Sequence, residues 1–293
     1  MTFLNFFISG ISLGSIYAII ALGYTMVYGI ARMLNFAHGD IIMVGAYACF
    51  YAVYRFHLPA PLGIILAMCA CTLLGVVIEK LAYKPLRKAP SLAVLITAIG
   101  MSYFLQNMAL LLWTSNPKIF PSVVGTGTVK LFDGQLSISY VTIATIVACL
   151  IIMVALTLFI SKTKMGKAMR ACSEDKAAAQ LMGINVNGTI SLTFAIGSGL
   201  AAIAGVLLCS AYPTLMPTTG SLPGIKAFTA AVFGGIGSVP GALLGGLTLG
   251  IIEIFAKAYI STQLSDAVVF AVLIVVLLVK PAGLLGRHIQ EKV

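Results

Sequence analysis

Asn35, His38 and Asp40 stand together in a polar knot, Asn35-Phe36-Ala37-His38-Gly39-Asp40, between two apolar runs. A polar side chain in lipid is costly unless it faces protein or water. Two readings follow. Asn35 or Gly39 caps a helix at the interface and satisfies its free N–H groups. Alternatively, the knot marks a broken helix whose end faces a translocation path. His38 with Asp40 is also the nearest approach to a reactive pair for a membrane-embedded enzyme. Thr97, Ser102, Gln106 and Asn107 punctuate a later apolar run, and at least some should line a seam between helices. The turn Gly234–Gly241 has Ser238 as its only polar side chain and needs positive φ or tight packing, so it reads as a backbone device. Its Gly234, Gly235 and Gly237 join Asn35, His38, Asp40 and the four polar residues as candidates for a path lining. Glu79 beside Lys80 reads as an interfacial pair. Glu253, four residues before Lys257, reads as a helical pair.

Other motifs return negatives, and these set the class. No GxxxxGK[ST] occurs, so the chain has no P-loop to cradle ATP phosphates, and no HExxH occurs either. Gly10-Ile11-Ser12-Leu13-Gly14 matches GxSxG, but it lies inside an expected span with no preceding strand, so a hydrolase elbow is rejected. Asn187-Gly188-Thr189 matches a glycosylation sequon on the expected cytoplasmic side and is set aside. The six cysteines form no CxxC and mostly lie in apolar runs, where they pack rather than bridge or bind zinc. The residues describe a conduit with no energy-converting site of its own.

The elements that must position these groups are set by hydropathy. Of 293 residues, 60% are hydrophobic and 9% charged, against roughly 25% charged in soluble domains. At about 20 residues per crossing, this length makes a polytopic helix bundle. Expected spans are 6–30, 41–54, 62–78, 92–113, 138–160, 190–212, a short 226–233, 242–256 and 266–279, with an external loop over 114–137. The expected fold is all-α, one transmembrane domain over 1–293, with roughly nine segments including short or broken ones. No basic region precedes the first apolar run, so that segment should stay as a membrane helix rather than a cleaved signal. Four-residue repeats of small residues, such as Gly10/Gly14 and Gly246/Gly250, should let helices approach closely.

With the N-terminus outside and segments alternating, 13 of the 18 Lys and Arg residues fall inside and five outside. That bias matches the cytoplasmic excess of basic residues, and a basic tail inside requires an odd count. If the Lys226 region is re-entrant, the tail lands outside. The net charge of +10 clusters at span ends rather than on one face, so it orients helices in a bilayer and does not suggest nucleic acid.

The longest polar interruption, Lys162 to Gly183 within a cytoplasmic loop 162–187, should carry two short helices. Thr163 is placed to cap one over 164–171. Ser173 is placed to cap a second, with Glu174 and Asp175 in its first turn and Gly183 at its C-terminal stop. Ala178, Leu181 and Met182 share one face of it. From the residues alone, the second helix either rests on lipid headgroups or docks a soluble partner.

Four blocks together resemble one family: GYTMVYGIARMLNFAHGD (23–40), LITAIGMSYFLQN (95–107), MGKAMRACSEDKAAAQLMGIN (165–185) and KAFTAAVFGGIGSVPGALLGGLTLGI (226–251). They look like the permease of branched-chain amino-acid ABC importers, the LivH type, and the likeness extends to Gly286-Arg287 and the Glu-Lys-Val end. The resemblance implies a second homologous permease, two ATP-binding cassette subunits on the cytoplasmic face and an extracytoplasmic substrate-binding protein. It implies no cofactor on this chain, ATP and Mg being held by the cassettes, and a prokaryotic inner membrane with the C-terminus cytoplasmic. It assigns cassette contact to Gly166, Arg170, Ala171, Glu174, Asp175 and Gly183, and places Ala178 with them. That favours the docking reading. Related permeases move urea, amides or other amino acids; leucine, isoleucine and valine are the expected cargo here. A gradient-driven secondary carrier is the rival from another class.

Overall fold

A computed structural model describes residues 2–87, 89–131 and 136–286. Lys88, Arg287 and the Glu-Lys-Val end lie outside the described residues. Nine apolar helices occupy the nine expected segments among those described. They are α1 (Thr2–Ala31), α2 (His38–Phe50), α3 (Ala60–Ile78), α4 (Ser91–Trp113), α5 (Tyr140–Lys162), α8 (Val186–Ala211), α9 (Ser221–Gly234), α10 (Val239–Tyr259) and α11 (Ser265–Val279). The polar interruption holds α6 (Lys164–Glu174) and α7 (Lys176–Leu181).

Length and composition bear out six of the roughly nine expected crossings among the described residues. Six helices are long and apolar enough to cross a membrane: α1, α3 with its extension to Tyr83, α4, α5, α8 and α10. α2 has 13 residues before a five-residue π-helical turn, α9 has 14 and α11 has 15. At about 1.5 Å per residue these fall short of a hydrocarbon core of about 30 Å unless they are flanked or broken within it.

Small residues bring the centre together, because lipid supplies no hydrophobic drive between helices. α1 and α10 run antiparallel. A Cβ on Gly14 would stand 2.7 Å from the Cα of Leu247, and one on Gly10 would stand 2.8 Å from the Cα of Ile251. At the other end of the pair, Gly29 faces Gly237. α8 meets α2 the same way, with Gly45 against Ala202. α1 and α8 are thereby enclosed, while α4 and α5 turn most of their large apolar side chains outward.

Side-chain caps set several helix starts. Ser139 accepts from the Thr142 amide, Asn185 from that of Gly188, and Ser238 from that of Gly241. Each satisfies an N–H that the helix itself cannot. The expected external loop is partly ordered strand. β2 (Thr128–Leu131) pairs antiparallel with β3 (Leu136–Ser139), and β1 (Lys118–Ile119) pairs with β4 (Thr214–Leu215). This hairpin region and the N-terminal part of α1 share one end of the bundle. α6 and α7 lie at the other end, beside the C-terminus of α1.

Candidate functional site

α1 ends at Ala31, and the chain crosses 32–37 without helix before α2 begins at His38. Arg32 makes the break with φ of 55°, a left-handed conformation that costs a side-chain-bearing residue free energy. α2 therefore starts inside the bundle. Its first turn carries Asp40, where the helix dipole favours an acid. Asp40 is buried, and its Oδ1 accepts from Gln106 Nε2 of α4 at 3.0 Å. The same amide nitrogen lies 3.2 Å from Ser102 Oγ and 3.2 Å from Ser221 Oγ at the start of α9. α9 reaches this point because Gly220 and Gly224 let it touch α2: a Cβ on Gly224 would stand 2.7 Å from the Cα of Gly39. Two helix starts and one polar face of α4 thus converge on a single buried carboxylate.

The capping reading of the knot is not what the structure shows. The N-cap of α2 is Ala37, with no side-chain cap. Asn35 instead accepts from the Tyr83 hydroxyl at 2.9 Å, through its Oδ1. His38 is buried against Tyr24, ring centroids 4.6 Å apart, and beside Gly23 of α1. Its Nε2 has no partner among the described residues. His38 and Asp40 thus serve different neighbours, α1 and α4.

On α4, Ser102 and Gln106 join the Asp40 cluster. Thr97 is half-buried and has no hydrogen bond to that cluster among those described. Asn107 is exposed and its Nδ2 donates to the Tyr103 carbonyl at 2.7 Å. One residue is about 100° around a helix, which separates Asn107 from Gln106. Gly234, Gly235 and Gly237 lie at the far end of α9. Gly235 and Gly237 have φ of 103° and 93°, and the Phe233 and Gly234 carbonyls accept from Leu284 and Leu285. The turn ties α9 and α10 to the segment after α11.

A second buried polar cluster was not expected as a whole. Lys226 Nζ lies 2.8 Å from Glu253 Oε1 and 2.6 Å from Asp266 Oδ1, joining α9, α10 and α11. Lys257 Nζ reaches Glu253 Oε1 at 2.6 Å, the i,i+4 pair that the spacing indicated. Tyr17 of α1 donates to Glu253 Oε2 at 2.8 Å. Glu79 also departs from expectation. It is fully buried and pairs with Arg87, not Lys80, and it accepts from Ser191 of α8 at 2.7 Å. Glu79 continues the buried four-residue stripe Gly63, Ala67, Cys71 and Gly75 of α3, which faces the bundle, while Lys80 one residue on is exposed.

At the knob end, Thr163 caps α6 by accepting from the Gly166 amide at 2.9 Å. α6 runs on to Glu174 because Met169 and Cys172 are buried against the bundle. The cap of α7 is consequently Asp175 rather than Ser173: Asp175 Oδ1 accepts from the Ala177 and Ala178 amides at 2.8 and 3.1 Å. Ser173 Oγ donates back to the Arg170 carbonyl. Gly183 ends the unit with φ of 81°. Gly166 is buried tight against Phe159 and Ile160, and Ala171 is half-buried. Arg170, Glu174, Asp175, Ala178 and Gly183 are exposed. Leu181 and Met182 are 89% and 82% exposed, so the small apolar face looks away from the bundle. Two bonds fasten the knob to the break after α1. Lys176 Nζ donates to the Ala31 carbonyl at 2.7 Å, and Arg32 Nη2 to the Ser173 carbonyl at 2.9 Å.

A helical bundle with a broken helix at a buried polar station, and with an exposed knob at one end, is the build of a membrane permease. A family model described as branched-chain amino acid transport system / permease component matches residues 6–277. The chain belongs to that family and is a transport component rather than an enzyme. It is 46% identical over 302 residues to BraD of Pseudomonas aeruginosa, a high-affinity branched-chain amino acid transport system permease protein, covering 99% of this chain and 98% of that one. LivH of Escherichia coli, with the same description, is 46% identical over 301 residues with the same coverage. Among solved structures, a chain of PsaBC from Streptococcus pneumoniae in complex with Fab matches with a TM-score of 0.50 at 14% identity. That match covers 96% of this chain and 93% of that chain, and supports the fold alone.

Proposed function

We propose that this chain is one of two permease subunits in an ATP-driven importer of leucine, isoleucine and valine. The observation that carries this reading is near end-to-end identity to BraD and LivH, whose descriptions name that cargo class. The second permease completes the path through the bilayer. Two cassette subunits hydrolyse ATP with Mg and dock on α6–α7. An extracytoplasmic binding protein delivers cargo and does most of the selecting. The chain acts as a single domain in a prokaryotic inner membrane.

Nine alternating segments, N-terminus outside and C-terminus cytoplasmic, fit the packing. α1 and α10 are antiparallel, and α9 returns to Gly234 beside the start of α10. Leu284 after α11 hydrogen-bonds at that same end. α2 and α9 cover only part of the bilayer each, and their starts meet at Asp40. In this reading Asn35, His38, Asp40, Ser102 and Gln106 belong to the path, and Thr97 and Asn107 face the second permease. Gly234, Gly235 and Gly237 act as a backbone hinge at its inner mouth. Gly166, Arg170, Ala171, Glu174, Asp175, Ala178 and Gly183 form or support the cassette-docking surface.

Purification of this chain from its native membrane tests the assembly. It should bring two cassette subunits and a second permease, and reconstituted uptake should require ATP and the binding protein. Uptake by this chain alone, driven by an ion gradient without ATP, would make it a secondary carrier instead.

A further inference from the structure

A cavity of about 210 Å³ lies where α7, the start of α8 and the segment after α3 meet. Arg87 and Lys176 line it with the amides of Gln180 and Asn187 and the aliphatic side chains of Ile184 and Ile190. None of its lining residues is acidic. The positive charge around it is only partly answered. Arg87 pairs with Glu79, but Lys176 and Arg32 donate to neutral carbonyls, those of Ala31 and Ser173. The other nearby acids are engaged or turned outward: Asp175 caps α7, and Glu174 is exposed. Burial first, and then the charges of Arg32 and Arg87, hold the Lys176 amine below its ordinary pKa. Arg87 Nε is buried and has no partner among the described residues, so the guanidinium retains a donor.

Two cations and no acid line the cavity, which selects an anion. The depth selects its source. Lys176 touches the last carbonyl of α1, so the cavity lies at the level where spans end. Ile184, Val186 and Ile190 give the cavity an aliphatic wall of its own. A free phosphate has no use for an aliphatic wall, whereas a lipid phosphate carries a glycerol and acyl chains to lay against one. Basic pockets at the ends of membrane helices recognise anionic headgroups on these grounds. We propose that this cavity holds the phosphate of an anionic phospholipid from the leaflet at the knob end. Its charge then offsets that of Lys176, Arg87 and Arg32 and steadies the joint between α7 and α1.

The test uses the assembled complex in nanodiscs of phosphatidylcholine with a minor share of phosphatidylglycerol. Lipid retained after delipidation is read by native mass spectrometry. The wild type should retain phosphatidylglycerol in preference to phosphatidylcholine. Lys176→Gln should weaken that retention about fivefold, the worth of one basic residue at a membrane surface. Lys176→Arg should keep it. Gln180→Glu, which sets a negative charge in the cavity one helical turn from Lys176, should weaken it by a similar factor. Unchanged retention in both Lys176→Gln and Gln180→Glu overturns the proposal. So does equal retention of phosphatidylcholine, or full displacement by millimolar inorganic phosphate, which would mark a site for solution anions.

Discussion

Asp40 is a buried carboxylate whose described hydrogen-bond partner on α4 is a neutral amide, Gln106, rather than a cation. Carboxylates at such depth are expensive and persist where something uses them. Asp40→Asn should insert normally yet lower uptake about tenfold, the worth of one charge-assisted hydrogen bond. Initial uptake rates in proteoliposomes check this. Gln106→Ala leaves Asp40 short of a donor and should cost about 1–3 kcal/mol in thermal unfolding of the purified complex. Asp40 and Gln106 were legible in the sequence because one closes a polar knot between two apolar runs and the other punctuates an apolar run. Ser221 was not, since it lies in a stretch broken by proline where many residues are polar. Glu79 was assigned to the wrong partner because adjacency suggested Lys80. Its place on the Gly63, Ala67, Cys71, Gly75 stripe of α3 is what turns it inward, away from Lys80.

At the scale of elements, hydropathy located every apolar helix to within a few residues. The repeats Gly10/Gly14 and Gly246/Gly250, each expected to allow close approach, meet one another between α1 and α10. Gly14→Val would push a side chain into the backbone of Leu247 and should lower stability by about 1–3 kcal/mol or more, read as a lower unfolding temperature. The start of α7 was misplaced by two residues. Ser173 and Asp175 are both good caps, and burial of Met169 and Cys172, a tertiary fact, decided between them. Asp175→Ala should cost about 1 kcal/mol and raise hydrogen exchange at the Ala177 and Ala178 amides about fivefold, because α7 has only six residues to hold itself. The β2–β3 hairpin escaped notice because its strands have four residues each, although Asp133-Gly134 between them is a turn-forming pair in the sequence.

At the scale of the whole molecule, the proposed knob and path are joined by one route. α7 holds the last carbonyl of α1 through Lys176, and the unwound 32–37 leads from there to Asp40. A displacement of α7 therefore acts on the segment that starts α2. Ala178→Trp on the exposed face, or charge reversal at Glu174 and Asp175, should abolish uptake while the protein still inserts. Uptake, and ATP hydrolysis measured beside it, separate lost docking from lost transmission. The apolar segments were legible because hydropathy is local. Convergence of α2, α4 and α9 on one carboxylate was not, because it depends on glycine contacts far apart in sequence.

The lysine on α9 has a consequence for how the protein is made. Lys226 emerges from the ribosome before either of its acids, since Glu253 and Asp266 are both translated later. Until they arrive, α9 carries an unanswered cation on only 14 residues. Its stable integration should therefore depend on the downstream helices. In a background without the six native cysteines, a chain truncated after Gly250 and released from the ribosome should leave Ala230→Cys open to a membrane-impermeant thiol reagent, and extension past Asp266 should close it.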